Sequence, residues 1–160
     1  MAELSLRGLL ALPTIRNVAG VDIVVSSPDG SFFANLQVKT SQHKVNFWPI
    51  STGYQSWRGT HCYYVFLRRR NDGPGPTFDV FLERAARVAA EVDRWEARWK
   101  EIGNKPFAPC WFAVEPKTVG PLIEHREKRL KRLAAQWSAF GRSESEPIEI
   151  QAMSASGFPS

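Results

Sequence analysis

An α+β fold, layered with a mixed central sheet flanked by helices, is what the sequence predicts, and three observations predict it. Apolar and β-branched runs bounded by turn residues recur from Leu9 to Leu82. Two longer segments nearer the C-terminus repeat their apolar residues at helical spacing instead. One run, His61–Leu67, is aromatic and apolar almost without a break, the pattern of a strand buried on both faces in the middle of a sheet.

Residues 1–7 (MAELSLR) read as a short amphipathic helix, and Gly8 stands where a left-handed cap releases the chain into an extended run, Leu9–Thr14. Val21–Ser27 and Ser31–Thr40 are strands joined by the turn tripeptide Pro28-Asp29-Gly30, so together they form a hairpin. Val45–Trp48 is a further short extended stretch, and it leads into a loop, Ser51–Gly59, that carries two aromatics, an arginine and two glycines. After the central run, Arg68–Arg70 is a basic exit into a Gly/Pro turn, and Thr77–Leu82 returns as the antiparallel neighbour.

The spacing then predicts a helix over Glu83–Ile102 that buries Val88, Val92, Trp95, Trp99 and Ile102 and is ended by Gly103, Asn104 and Pro106. Pro109–Val114 is extended. A second helix runs from Val119 or Pro121 to Phe140, burying Ile123, Leu130, Leu133 and Trp137. It should present His125, Arg126, Lys128, Arg129, Lys131 and Arg132 outside, and Gly141 closes it. One domain, 1–141, is therefore expected, followed by a Ser/Pro/Glu-rich tail, 142–160, which either stays irregular or adds one extended segment at Ile148–Ile150.

Composition narrows the function classes. With 160 residues, 43% hydrophobic and 23% charged, a disordered or fibrous chain is excluded. No apolar run approaches the ~20 residues of a membrane-spanning helix, and the N-terminus lacks the order of a secretory signal, so a cytoplasmic protein without a membrane partner is expected. Cys62 and Cys110 are too few and too far apart for a disulfide framework or a structural zinc site, and both are expected as buried small hydrophobes. A net charge of +5 suits an anionic partner and equally suits ordinary solubility. The phosphate-binding, dinucleotide, serine-hydrolase and zinc-protease motifs are all missing.

The stretch that carries chemistry is Gly20-Val21-Asp22, the Pro28-Asp29-Gly30 turn, and Asn35-Leu36-Gln37-Val38-Lys39-Thr40. Along a strand Asn35, Gln37 and Lys39 share one face while Leu36 and Val38 take the other. With Asp22 at the start of the neighbouring strand, a carboxylate, an amide oxygen and an ammonium group fall near one another. Mg²⁺ or Mn²⁺ takes oxygen ligands and keeps several waters, so Asp22, the Gln37 side chain and the Val38 carbonyl are the expected ligands. Lys39 is expected to orient the attacking water and to stabilise negative charge developing on phosphorus. An exposed polar sheet face is the ordinary alternative for Gln37 and Lys39.

The spacing Gly-x-Asp-x(14)-Gln-x-Lys resembles the core of the PD-(D/E)XK nuclease superfamily, in the variant with glutamine at the middle acid, and small bacterial members with an Ile/Leu-Gln-Val-Lys-Thr strand in particular. The resemblance spans about residues 1–100 and implies a restriction-endonuclease-like fold with Mg²⁺-dependent DNA cleavage, in which Asp22 is the metal-binding acid, Gln37 the variable position and Lys39 the catalytic lysine. Glu3 falls too close to Gly8 to match the additional helix glutamate that many members carry. The alternative is a catalytically weak or inactive module of the same fold that binds nucleic acid or a protein partner.

DNA is the expected partner. Candidate contacts are His43 and Lys44 just past Thr40, Tyr54, Trp57 and Arg58 in the loop, and Arg68, Arg69 and Arg70 at the basic exit. Solvated loop residues, with aromatics tucked under the sheet, are the competing reading of the loop and the basic exit. A homodimer is plausible on the ground that cutting a duplex twice takes two sites.

Overall fold

The computed structural model describes residues 1–15, 20–41, 47–70, 75, 77–103, 109–112 and 126–141. The expected tail and His125 lie outside these, as do His43, Lys44, Ile123 and the start of the second helix. In chain order the elements are α1 (Ala2–Leu6), β1 (Leu10–Pro13), β2 (Ile23–Ser26), β3 (Phe33–Ser41), β4 (Phe47–Pro49), a 3-10 turn (Thr52–Gln55), β5 (Cys62–Arg70), β6 (Thr77–Arg84), α2 (Ala85–Glu101), β7 (Cys110–Phe112) and α3 (Arg126–Ala139).

Five strands form one mixed sheet in the order β1-β2-β3-β5-β6, in which β3 and β5 are parallel and the other neighbours antiparallel. The α+β class is thus as the sequence predicts, whereas the His61–Leu67 run forms an interior strand next to the edge strand β6, and β3 takes the middle of the sheet. β4 and β7 pair separately as a short ribbon.

Each face of the sheet has its own core. On one, Tyr64, Phe66 and Phe81 pack under α2, the β4–β7 ribbon and the 3-10 turn, together with Trp48, Trp111, Val88 and Val92. On the other, Val25, Ala34, Leu36, Val65 and Leu82 pack with Leu4 and Leu9 at the N-terminus and Phe140 at the end of α3. Alternation along β3 follows from this: Ala34, Leu36 and Val38 belong to the second core, which leaves Asn35, Gln37 and Lys39 to the first face.

Local signals account for the way the chain enters this sheet. Gly8 has φ +75°, the Leu9 amide donates to Leu4 O and the Gly8 amide to Ser5 O, so α1 closes in a Schellman motif whose two leucines are buried together. Nothing lies within 4 Å of a Cβ built at Gly8, so Gly8→Ala should cost only the left-handed conformation. About 1–2 kcal/mol is expected in denaturant unfolding. At the hairpin turn the Ser27 hydroxyl, then the Ser31 amide and hydroxyl, donate to Asp29 and hold its carboxyl down at about 2.

Three further expectations are corrected. The helix after β6 begins at Ala85, because Glu83 and Arg84 still pair with Tyr64 and Tyr63 in the sheet, and its predicted last apolar residue, Ile102, is exposed. The basic exit is a strand: β5 continues to Arg70, with Arg68 facing Asp79 across the ladder and donating to it at 2.5 Å (Nη2) and 2.9 Å (Nε). Two of the arginines expected on the outside of α3 turn inward. Arg129 is 4% exposed and grips Glu91, and Arg132 donates to the buried Glu83 at 2.8 Å.

Candidate metal centre

Asp22 sits where β2 begins, at a kink. Its amide donates to Leu36 O on β3 at 2.8 Å, while its carbonyl accepts from the Thr14 amide on the β1 side at 3.0 Å. In a regular strand both groups of one residue point the same way, so this split is a local twist of the bulge kind, which re-aims a side chain. The Thr14 hydroxyl donates to Val21 O and pins the turn. Thus aimed, Asp22 Oδ2 accepts the Val38 amide at 2.7 Å.

That contact puts the carboxylate on the backbone of the residue between Gln37 and Lys39. The Asn35 amide donates to His61 O toward β5. By alternation the backbone groups of Leu36 and Val38 therefore face β2, and the Val38 carbonyl opens toward the Asp22 side. Gln37 is 8% exposed and Lys39 half-buried. Neither side chain has a hydrogen-bond or ion-pair partner among the described residues.

The donor set fits a hard cation that keeps most of its waters: one exposed carboxylate, one amide oxygen and one carbonyl. Among the described residues no group of three His, Cys, Asp or Glu side chains gathers as a metal cage. Glu3, on α1, is engaged by Arg7 at 3.0 Å.

The other expected contact residues are placed differently. Tyr54 is a core residue whose hydroxyl donates to Asp93 at 2.8 Å, so its ring is not presented for stacking on a base. Arg58 is partly exposed and donates to the same carboxylate at 2.7 Å, and these two hydrogen bonds hold Asp93 below the usual carboxylate range. Asp93 thereby clasps the loop to α2. So held, the Trp57 indole packs edge-on against Tyr64, 4.7 Å between ring centroids, and a Cβ built at Gly20 would lie 3.5 Å from it. Gly20 and Tyr64 therefore flank the Trp57 ring, and Tyr64 is the ladder partner of Gln37. Arg68 is committed to Asp79, Arg70 lies 3.8 Å from that carboxylate, and Arg69 is exposed.

Tyr64 is the residue that sequence reasoning passed over. It stands opposite Gln37 in the β3–β5 ladder, but within an unbroken apolar run it reads only as core, and a parallel register leaves no trace in the sequence.

The fold is that of an α+β protein with a mixed five-stranded sheet, at whose β2–β3 end the Asp22 carboxylate accepts the Val38 amide. No family model, curated protein or solved structure matches this chain. Among the described residues no helix is long and apolar enough to cross a membrane.

Proposed function

We propose that the chain is a restriction-endonuclease-like, metal-dependent nuclease domain that hydrolyses DNA phosphodiester bonds. The observation that carries this reading is the Asp22 carboxylate seated 2.7 Å from the Val38 amide, between Gln37 and Lys39. The element order supports it: a leading helix, a hairpin bearing the acid and the Gln-x-Lys, a buried interior strand and a packing helix. That is the order the nuclease superfamily implies.

Bound Mg²⁺ or Mn²⁺ supplies Lewis acidity and lowers the pKa of water. Asp22 provides the one formal negative charge that anchors the cation, while the Gln37 amide oxygen and the Val38 carbonyl complete the protein's share. The backbone hydrogen bond holds Asp22 in place before ligand arrives, so little ordering is left for the binding step. Lys39 reaches in from the same strand face as Gln37, where its ammonium group orients a water toward phosphorus and offsets negative charge on the phosphate oxygens.

Plasmid DNA incubated with Mg²⁺ or Mn²⁺ should be nicked, and Lys39→Ala should slow nicking by about 10²-fold or more, the scale seen when one electrostatic donor is removed from a transition state. Nicking unchanged by that substitution contradicts the assignment. A second reading, a catalytically weak module that binds nucleic acid or a protein, is favoured by the single carboxylate at the site and the lack of a multi-acid cage among the described residues. It predicts DNA retention without any lysine-dependent nicking.

A further inference from the structure

Resting on that reading, we propose that Tyr64 is a positioning residue for Gln37, its phenol oxygen accepting a hydrogen bond from Gln37 Nε2 and thereby turning Oε1 toward the cation. Three observations carry it. Gln37 and Tyr64 are partners in the parallel β3–β5 ladder, so both side chains rise from adjacent strands on one face. Tyr64 is 1% exposed, and its hydroxyl has no hydrogen-bond partner among the described residues. Gln37, 8% exposed, has no side-chain hydrogen-bond partner among the described residues either.

Buried polar groups are nearly always paired, and a buried phenol without a partner next to an unbonded amide on the neighbouring strand indicates a partner supplied by a small movement of the glutamine. A glutamine amide presents either oxygen or nitrogen to a cation, and only the oxygen binds. A neighbour that accepts from Nε2 selects the productive orientation. The Trp57 ring against Tyr64 keeps water from taking the amide's place.

The test is Tyr64→Phe in the full chain, read by thermal unfolding and by Mn²⁺ titration followed through the electron paramagnetic resonance of the free ion. Removing a buried, unpartnered hydroxyl should leave the unfolding midpoint unchanged or higher. Mn²⁺ affinity should fall about fivefold, the size of one neutral hydrogen bond. In a Gln37→Glu background, where both oxygens are equivalent and no N–H needs holding, Tyr64→Phe should lower affinity no further. Unchanged Mn²⁺ affinity in Tyr64→Phe, or an equal fall in both backgrounds, overturns the role of Tyr64 alone. Absence of Mn²⁺ binding in the unaltered chain, or binding that survives Asp22→Asn, overturns the metal site itself and this inference with it.

Discussion

Replacing Glu91 by alanine is expected to destabilise the fold by about 3–5 kcal/mol, the scale for breaking a buried ion pair by removing one member. Glu91 accepts a forked pair from Arg129, 3.1 Å from Nη1 and 2.6 Å from Nη2, and a third hydrogen bond from the Trp111 indole at 2.7 Å. One carboxylate therefore ties α2 to α3 and to β7. Alanine removes these bonds at once, together with the longer contact from Arg87 Nε at 3.5 Å. In a domain of this size the unfolding midpoint should drop by about 10 °C, read by calorimetry. A change below about 1 kcal/mol would show that the cluster is solvated.

The pH dependence has a definite sign. Burial pushes the Glu91 carboxyl up, but the hydrogen bonds and charge of Arg129, with help from Trp111 and Arg87, outweigh it and hold the group below its ordinary value of 4.5. A depressed carboxylate stabilises the fold above the unfolded value and loses that contribution as pH falls through the folded one. Stability should therefore decline with acidification below about pH 4.5, and Glu91→Gln should flatten that part of the profile.

Phe66→Ala should cost a similar amount, about 3–5 kcal/mol. The ring is fully buried on the interior strand β5, stacks on Trp111 with centroids 4.0 Å apart and planes 6° apart, and lies 5.2 Å from Trp48 and 5.5 Å from Tyr64. Its loss opens a cavity that the three aromatics packed around it cannot collapse into without leaving their rotamers. Phe66→Leu retains much of the volume and should cost less than half as much. Equal losses for the two substitutions would contradict this picture of an aromatic stack. Phe66 is also the ladder partner of Lys39, so the leucine variant gauges how far the site tolerates a shift of its support.

Much of the scaffold was legible because its causes are local. Gly8 caps, the Pro28-Asp29-Gly30 turn pairs two β-branched runs, and the Val88, Val92 and Trp95 spacing buries one side of α2. What escaped depends on partners distant in sequence. Arg129 and Arg132 sit in a charge-rich stretch that looks like a solvated helix face, and only the buried Glu91 and Glu83 opposite them make the interior habitable. Tyr54 reads as a loop aromatic until Asp93, on another element, claims its hydroxyl. The alternation of Gln37 and Lys39 was readable from β3 alone. The seating of Asp22 on Val38 was not, since it depends on a kink whose two hydrogen bonds reach different neighbouring strands.

On the proposed reading, Asp22 and Gln37 converge on one cation beside Lys39. Crystals soaked in Mn²⁺ and measured for anomalous scattering test it most directly. A single peak is predicted, bound by Asp22 and the Gln37 amide oxygen at about 2.1 Å, close to the distance a small octahedral cation requires, with the Val38 carbonyl also turned toward it. A map with no peak at the β2–β3 end, or with an ion held by Asp22 while the Gln37 amide points elsewhere, would contradict it.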